Sequence, residues 1–351
     1  MKKILCTALC LTILAATPAW AAEDMSKGIL LHNRDTVSDV VDLGCDEVIT
    51  NLTGALWKDD KNGIISLIDD LNSRGLKVTM VLLKEALHTQ TSNYEMITKS
   101  DMYYIRDVAN TLGNKVGRYV IGNEINSQEW NFAGDMDTEK YCRIYASAFT
   151  ESYHAIKAAN PDAEVYIPFN YGWRNGTNNK DTYSGKEVLT KLAAILPKDM
   201  DWGVAWHPYP DPLNSPDFLD DPLATDDENA VIVGFKNLHV LTDYMQRAEM
   251  RKADGSVRNI ILSEEGFTSI NNGTVDEASQ AEFFRLSWEI AKANPYIRAY
   301  LLSRQVDATV EVQNGWAFGL WNCAVGANGA DVPTTRKLIW EVFRTVNMPA
   351  S

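Results

Sequence analysis

The chain has 351 residues, of which 47 are acidic and 33 are lysine or arginine, so its formal net charge is −14. This balance disfavours nucleic acid and anionic membranes as partners, and it suits a protein that handles neutral or cationic ligands, although acidity also serves solubility alone. The length fits either two ordinary domains or one domain of barrel size. The order of the predicted elements decides between these two possibilities.

The first 21 residues have the features of a secretory signal peptide. Lys2 and Lys3 precede an apolar run, and Ala19 and Ala21 form the small-x-small pattern that signal peptidase recognises. We therefore expect cleavage after Ala21 and a secreted bacterial protein, extracellular or periplasmic, that comprises residues 22–351 as one domain. No later apolar stretch is long enough to span a bilayer, so we expect no membrane association after cleavage.

Short apolar runs rich in β-branched residues then alternate with amphipathic helical stretches. The predicted strands are GILLH, EVITNL, KVTMVLL, YVIGNE, EVYIPFN, WGVAWH, NIILSEE and RAYLLSR. After each of them, apolar residues recur every three or four positions, and the last such stretch is TTRKLIWEVFRTV. Eight strand–helix units predict an α/β protein that forms a single (β/α)8 TIM barrel. No glycine-rich motif follows the first strand, which disfavours a nucleotide-binding sheet.

Polar and ionisable side chains stand at the ends of three predicted strands. They are Asn123 and Glu124, His207 and Tyr209, and Glu264 and Glu265. Strand ends converge on one mouth of a barrel, so carboxylates that are distant in sequence are expected to face one another there. A retaining glycosidase needs two carboxyl groups about 5 Å apart, because one protonates the leaving oxygen and the other attacks the anomeric carbon. The pattern therefore indicates cleavage of glycosidic bonds.

Three motifs in this order resemble those of clan A retaining glycoside hydrolases. They are GNEIN after the fourth strand, His-x-Tyr after the sixth and SEEG after the seventh. The first and last are similar to those of the endo-β-1,4-galactanase branch in particular. The resemblance implies that Glu124 is the general acid/base, that Asn123 binds the sugar 2-hydroxyl and that Glu264 is the nucleophile. It also implies that His207 and Tyr209 surround this nucleophile.

Two adjacent acids, Glu264 and Glu265, compete for the role of nucleophile. In the family pattern the nucleophile directly follows a small polar residue, which selects Glu264, and strand alternation then sends Glu265 to the opposite face. A bulge at the strand end would reverse this facing, so Glu265 stays among the expected substrate contacts. The clan usually carries an arginine near the nucleophile, but none follows the second strand here. Arg34 in LHNRD is the substitute that we expect.

Several aromatic residues at or after the predicted strand ends offer faces on which sugar rings could stack. By family resemblance, Trp321 in GLWN is expected to form the floor of the central subsite. Trp130, Trp173 and Asn170 are further expected sugar contacts. Trp206 lies inside a strand, and we expect it to pack in the core.

Other chemistries lack their sequence motifs. The histidines show neither H-x-H nor H-E-x-x-H spacing, and Cys45, Cys142 and Cys323 show no C-x-x-C spacing, so we expect neither a metal nor a cofactor. No G-x-S-x-G motif supports acyl transfer. The three cysteines allow at most one disulfide, and their spacing does not decide whether one forms.

Two functions of different classes fit these motifs. The first is a secreted, monomeric retaining glycoside hydrolase that cleaves β-linkages in polysaccharides or oligosaccharides. The second is a carbohydrate-binding barrel, or a scaffold for a partner, without turnover. Carboxylates at opposed strand ends favour the enzyme, because a binding protein does not need both. The sugar, the linkage, endo or exo action, and hydrolysis or transglycosylation stay open, since fold and catalytic pair do not determine them.

Overall fold

The computed structural model of the protein describes residues 25–84, 102–131, 133, 135–174 and 183–348. The expected signal peptide and its cleavage site after Ala21 lie outside these residues. No helix in the described part of the chain is both long enough and apolar enough to cross a membrane.

Eight parallel strands close into one barrel. In chain order they are β1 Ser26–Leu30, β2 Glu47–Leu52, β3 Lys77–Leu82, β4 Arg118–Ile121, β5 Glu164–Asn170, β6 Trp202–His207, β7 Ile260–Glu265 and β10 Ile297–Leu302. A short hairpin, β8 Ile270–Asn271 and β9 Thr274–Val275, lies in the connection after β7. β10 pairs with both β7 and β1, which closes the sheet. The predicted single TIM barrel is confirmed, and each predicted strand overlaps one strand of the barrel.

Helices surround the barrel. In the described ranges they are α1 Val37–Asp42, α2 Gly54–Asp59, α3 Lys61–Ser73, α4 Met102–Leu112, α5 Gln128–Asn131, α6 Thr138–Ala159, α7 Gly185–Ile195, α8 Leu238–Met245, α9 Glu277–Ala293, α10 Thr309–Gln313 and α11 Leu338–Thr345. Side-chain caps fix the starts of the two longest helices. Asp137 accepts a hydrogen bond from Lys140 N before α6, and Asp276 accepts one from Ser279 N before α9.

An antiparallel hairpin between the barrel and the last helix was not predicted. It consists of β11 Trp321–Val325 and β12 Asp331–Arg336. The predicted last helix is wrong at its start, because its first residues belong to β12 and α11 begins only at Leu338. Thr334 and Thr335 are β-branched, which favours the strand over the helix at this point.

Strand alternation divides the apolar side chains between two layers. The layer inside the barrel consists of Ile49, Val81, Leu83, Val120, Tyr166, Ala205, Ile261, Ala299 and Leu301. The larger layer fills the space between the strands and the helices. Trp206 lies fully buried in that outer layer and packs on Phe169, as expected for a core residue.

Gly203 makes room inside the barrel for the ring of Tyr166. A Cβ at position 203 would lie 2.4 Å from Tyr166 Cε1 and 2.8 Å from the carbonyl oxygen of Asn259. We therefore expect Gly203→Ala to lower the free energy of unfolding by about 1–3 kcal/mol, because a close-packed interior does not yield to an added methyl group. Chemical denaturation would measure the loss. The matched control is Gly117→Ala, whose methyl group meets open space; equal losses in both variants would contradict the prediction.

Candidate active site

The carboxyl ends of β4, β6 and β7 bring four polar side chains together at one mouth of the barrel. His207 Nδ1 lies 3.0 Å from Glu124 Oε1 and 3.8 Å from Glu264 Oε2. Tyr209, two residues beyond β6, places its hydroxyl 3.1 Å from Glu264 Oε1. One oxygen of Glu124 lies within 4.8 Å of one oxygen of Glu264. The strand ends therefore converge in space, and the two carboxylates share His207 as a neighbour.

The backbone at Glu124 adopts an uncommon conformation. Its φ is +36°, a region that residues with a Cβ rarely occupy, and it follows Gly122 with φ +89°. Hydrogen bonds hold this turn, from Ser127 N to Glu124 O at 2.7 Å and from Ile125 N to Pro168 O at 3.1 Å. Strained backbone persists only where the surroundings determine it, and it is concentrated at functional sites.

A pair of buried amides locks the same turn to the neighbouring strand. Asn126 Nδ2 donates to Asn170 Oδ1 at 2.6 Å, and Asn170 N donates to Asn126 Oδ1 at 3.0 Å. Asn170 Oδ1 also accepts a hydrogen bond from Gly172 N. The prediction that Asn170 contacts a sugar is corrected here, because its side chain is buried and engaged within the protein. Its contacts stabilise the loop that carries Glu124.

A bulge in β7 determines which of its two acids faces the mouth. Tyr300 of β10 pairs with Leu262 of β7, and Leu302 pairs with Glu265. The distance between these pairs is two residues on β10 but three on β7, so β7 contains one extra residue. Strict alternation would turn Ser263 and Glu265 to the same side. The extra residue instead lets Ser263 and Glu264 both face the mouth and turns Glu265 outward. Glu264 is thus the acid in the site, as the family pattern predicts, but the bulge rather than alternation is the reason.

Glu265 lies in the layer between the barrel and the helices. It is fully buried, and neither of its carboxyl oxygens has a hydrogen-bond partner among the described residues. Burial, with a smaller contribution from the charge of Glu264, raises the pKa of Glu265 well above its ordinary value. The prediction that Glu265 contacts substrate is therefore corrected. Burial therefore favours the protonated form of this carboxyl group.

His207 is buried between the two acids, with its Nε2 3.0 Å from Ser263 Oγ. Burial alone would lower its pKa, but the charge of Glu264 together with the hydrogen bond and charge of Glu124 outweighs that effect. The pKa of His207 consequently lies above its ordinary value. The two carboxylates therefore favour the protonated form of the imidazole.

Glu264 is about one-third exposed, with a side-chain exposure of 35%. Burial and the negative charge of Glu124 raise its pKa. The charges of His207 and Arg304 and the hydrogen bond from Tyr209 lower it, but the net direction is upward. Tyr209 Oη is also 2.6 Å from Ser303 Oγ. Because a phenol has one proton, Tyr209 donates to the carboxylate when it accepts from Ser303.

A small cavity below the mouth contains further polar side chains. Its polar lining consists of Asn51, Asn123, His207, Ser263, Glu264 and Ser303. Asn123 thus lies where it was expected, beside the acids. Asn51 at the end of β2 was not predicted, and its only sequence signal was its position at a strand end.

The prediction for Arg34 is wrong. Its guanidinium lies at the surface and donates to Gly63 O at 2.6 Å and to Ser66 Oγ at 3.2 Å. The guanidinium that acts on Glu264 belongs to Arg304, which follows β10. Arg304 is the last residue of the predicted strand RAYLLSR, but the sequence pattern assigned no role to it.

One of the predicted stacking tryptophans is packed inside the protein instead. Trp173 is fully buried, packs edge-on against Trp206 and Tyr244, and donates its Nε1–H to Glu228 O at 3.0 Å. A sugar ring therefore has no access to Trp173.

Trp321 is half-buried at the start of β11. Its Nε1–H donates to Asp39 Oδ2 at 2.9 Å, and the Arg336 guanidinium lies 5.0 Å from its ring. These contacts hold the indole against Asp39 of α1, and its predicted role as the floor of the central subsite stays a prediction. The aromatic ring that packs on Tyr209 is that of Phe318, at 5.8 Å between centroids. Trp130 lies half-buried in α5, and its predicted role stays a prediction.

Glu124, His207 and Glu264 also form a group that could hold a metal ion, with ligand atoms all within 4.8 Å of one another. Local spacing motifs do not detect this group, because its members come from three strands. A cation there would occupy both carboxylates, so metal binding and proton transfer by these acids exclude each other. Cys45, Cys142 and Cys323 are free thiols.

The sequence profile described as "Family of unknown function (DUF5722)" matches residues 102–351. No curated protein sequence matches the chain.

Solved structures with a similar fold are glycosidases. A family 39 glycoside hydrolase from the gut symbiont Bacteroides cellulosilyticus WH2 has a TM-score of 0.64 and 16% identity over 93% of this chain and 64% of that one. A β-glycosidase from Pyrococcus horikoshii has a TM-score of 0.60 and 16% identity over 89% and 84%. A family 1 β-glucosidase from Thermotoga maritima has a TM-score of 0.58 and 14% identity over 89% and 85%. The chain thus spans slightly less than two-thirds of the family 39 enzyme, and at these identities the likeness establishes the shared barrel fold.

Proposed function

The chain belongs to DUF5722, a family of unknown function, and from its own site we propose that it is a retaining β-glycosidase. The observation that carries this proposal is the separation of Glu124 and Glu264, whose nearest ligand oxygens lie within 4.8 Å. Retaining enzymes hold their carboxyl groups about 5 Å apart, whereas inverting enzymes need roughly 6.5–9.5 Å to admit a water molecule. The spacing favours direct attack by one carboxylate on the sugar.

In the first step, Glu264 attacks the anomeric carbon while Glu124 donates its proton to the departing oxygen. The glycosidic C–O bond breaks, and an ester bond between the sugar and Glu264 forms. In the second step, Glu124 takes a proton from water, the water oxygen attacks the anomeric carbon, and the ester bond breaks. Two displacements at the same carbon return the original anomeric configuration.

His207 contributes a shared proton in this scheme. Its Nδ1 and Glu124 Oε1, 3.0 Å apart, hold one proton between them, either as imidazolium and carboxylate or as imidazole and carboxylic acid. Glu124 acts as the acid in the second form and as the base in the first. Ser263, at Nε2 of the same ring, fixes its orientation.

Acidic side chains at the other end of the barrel form ion pairs that have a structural role. Arg118 pairs with Glu47 and with Glu164, the latter at 2.7 Å. At the mouth, by contrast, no lysine or arginine of the described residues lies within ion-pair distance of Glu124 or Glu264. A salt bridge at the rim therefore does not account for them.

We extend the proposal to substrate and location. The signal-like first 21 residues support secretion, and we expect the secreted protein to be a monomer. The GNEIN and SEEG motifs support a β-linked polysaccharide or oligosaccharide as substrate. A galactan is the first polysaccharide to test, because these motifs are most similar to those of the galactanase branch.

The proposal is tested with a panel of aryl β-glycosides and β-linked polysaccharides, galactan included. We expect hydrolysis of at least one of them, with the β-anomer as the first product seen by proton NMR before mutarotation. Parallel preparations of Glu264→Gln exclude contaminating activity. An α-anomer as first product would contradict the retaining mechanism. Glycan binding without any hydrolysis would instead favour a carbohydrate-binding barrel.

A further inference from the structure

A charged lysine side chain is buried directly before α11. The side chain of Lys337 has no exposed surface, and its ammonium lies 2.7 Å from Asp307 Oδ2, which is also buried. The same ammonium donates to Ser269 Oγ at 3.0 Å and to Ala317 O at 3.1 Å. Three acceptor residues thus match its three N–H groups. Burial of an ion pair costs free energy unless such hydrogen bonds are complete, so the contacts of this pair indicate its role.

The buried pair fixes a short segment of the connection between β10 and α11. Asp307 Oδ1 accepts a hydrogen bond from Gly319 N at 2.7 Å, and a Cβ at position 319 would lie only 2.3 Å from Asp307 N. The ammonium holds Ala317 O, two residues earlier. Gln280 Nε2 in α9 donates to Ala317 O at 3.1 Å and to Gly319 O at 3.3 Å. Both neighbours of Phe318 are therefore held from below.

The ring of Phe318 lies against the candidate active site. It packs on Tyr209, with the two ring centroids 5.8 Å apart and the planes tilted by 54°. Its Cβ would be 3.3 Å from a Cβ at Gly266, so it also packs closely on the end of β7. The hydroxyl of Tyr209 lies 3.1 Å from Glu264 Oε1. Because a close-packed interior transmits displacements, the position of Phe318 determines how this hydroxyl meets the proposed nucleophile.

We propose, resting on the glycosidase function above, that Lys337 is a positioning residue for the reaction. Together with Asp307 it holds the segment that carries Phe318. Phe318 in turn holds the ring of Tyr209, whose hydroxyl orients Glu264. Lys337 thus acts on the nucleophile through three successive contacts, and its charge serves to fix the backbone of the segment.

The direct test is carbon-13 NMR of protein labelled at tyrosine Cζ, because this carbon reports the hydrogen bond of the hydroxyl. The Tyr209 signal is assigned by its loss in Tyr209→Phe. Glu264→Ala supplies the reference position of a hydroxyl without its carboxylate partner. We expect Lys337→Met and Phe318→Leu to move the Tyr209 signal from its wild-type position towards this reference. An unchanged Tyr209 signal in both folded variants would overturn the inference.

A matched control comes from a second buried lysine. The ammonium of Lys27 donates to Leu43 O at 2.9 Å and to Phe343 O at 3.0 Å, at the other end of α11. Lys27→Met therefore removes an equally buried ammonium, and it should leave the Tyr209 signal in place. A shift as large as that of Lys337→Met would show a general loss of packing and contradict the proposed path.

A double variant covers the case in which Lys337→Met does not fold. That substitution leaves the Asp307 carboxylate buried without its cation, which is strongly destabilising. Asp307→Asn combined with Lys337→Met removes both charges, and the amide oxygen still accepts from Gly319 N. The ammonium contact to Ala317 O is lost as before. The Tyr209 signal should therefore move in the double variant too, and a wild-type signal there would overturn the inference.

Kinetics in two backgrounds gives the second readout. Lys337→Met should lower kcat by about 10- to 100-fold and change KM by less than about threefold, because a displaced group affects the reacting geometry more than binding. In Tyr209→Phe, the same substitution should cost less than about threefold, since the hydroxyl that it positions is absent. Equal losses in both backgrounds would show a role in folding alone and overturn the inference. The NMR measurement needs no turnover, so a missing hydrolytic activity would contradict the proposed function without affecting its result.

Discussion

Glu264→Ala is expected to lower kcat for an activated aryl β-glycoside by about 10,000-fold, since removal of a residue that forms the covalent intermediate costs losses of this order. Sodium azide should restore part of the turnover. The missing carboxylate leaves space on the face of the sugar from which Glu264 would attack. Azide then attacks the anomeric carbon there, the aryl oxide leaves, and the product is the α-glycosyl azide.

Glu124→Ala should give the opposite stereochemistry with the same reagents. A dinitrophenyl leaving group needs little protonation, so Glu264 can still form the glycosyl-enzyme, but hydrolysis of this intermediate lacks its base. Azide needs no base, and it should release the β-glycosyl azide after two displacements. Product NMR distinguishes the two anomers.

Controls for these variants are available in the same chain. Glu282→Gln alters an exposed acid on α9 and should leave kcat unchanged. Circular dichroism checks that each variant is folded. The role assignment would be refuted if both alanine variants gave the same azide anomer, or if Glu265→Ala rather than Glu264→Ala gave the rescued α-product.

The second large effect concerns stability. Glu265→Gln is expected to stabilise the protein at neutral pH, and the gain should grow as the pH rises. The pKa of Glu265 is raised in the folded state by burial and by Glu264, whereas in the unfolded chain it is about 4.3. Between these two values the folded state binds the proton that the unfolded state has lost. The difference in unfolding free energy should therefore change by about 1.4 kcal/mol per pH unit in this range.

The direction of this dependence is specific. The contribution of a carboxyl group with a raised pKa is fully present below the unfolded value, and it is lost as the pH rises towards the folded value. Denaturant unfolding of wild type and Glu265→Gln, from about pH 5 to pH 8, measures the difference. Glu282→Gln should show a flat difference over this range, because the pKa of Glu282 is lowered by Arg285. An equally flat difference for Glu265→Gln would contradict the prediction.

The barrel was predictable because its strands leave a strong local signal. Parallel strands buried on both faces read as short continuous apolar runs, such as EVITNL and WGVAWH, and the helices between them have a different period. β2, β5 and β6 have the predicted bounds. The convergence of Glu124, His207 and Glu264 follows from the topology, since strand ends in a closed barrel meet at one mouth.

What the sequence did not reveal depends on how side chains turn rather than on where strands lie. Trp173 follows a strand as predicted, but it is fully buried and packs against Tyr244 of the neighbouring helix. Arg34 and Arg304 both lie in the connection that follows a barrel strand. Only the three-dimensional packing distinguishes the one that donates to α3 from the one that acts on Glu264. The end of β12, with the β-branched Thr334 and Thr335, was assigned to the last helix, and the rest of the hairpin β11–β12 was not predicted.

Because of the bulge in β7, the position of Glu264 at the mouth depends on the number of residues in this strand. If one residue were deleted there, regular pairing with β10 would be restored, and the single remaining glutamate would point into the layer under the helices. A scan of single substitutions would not detect this dependence, because each substitution preserves the residue count. Transfer of the site to another barrel therefore requires the extra backbone residue together with the four side chains. In this protein, the number of residues in β7 is thus as necessary for the site as the side chains themselves.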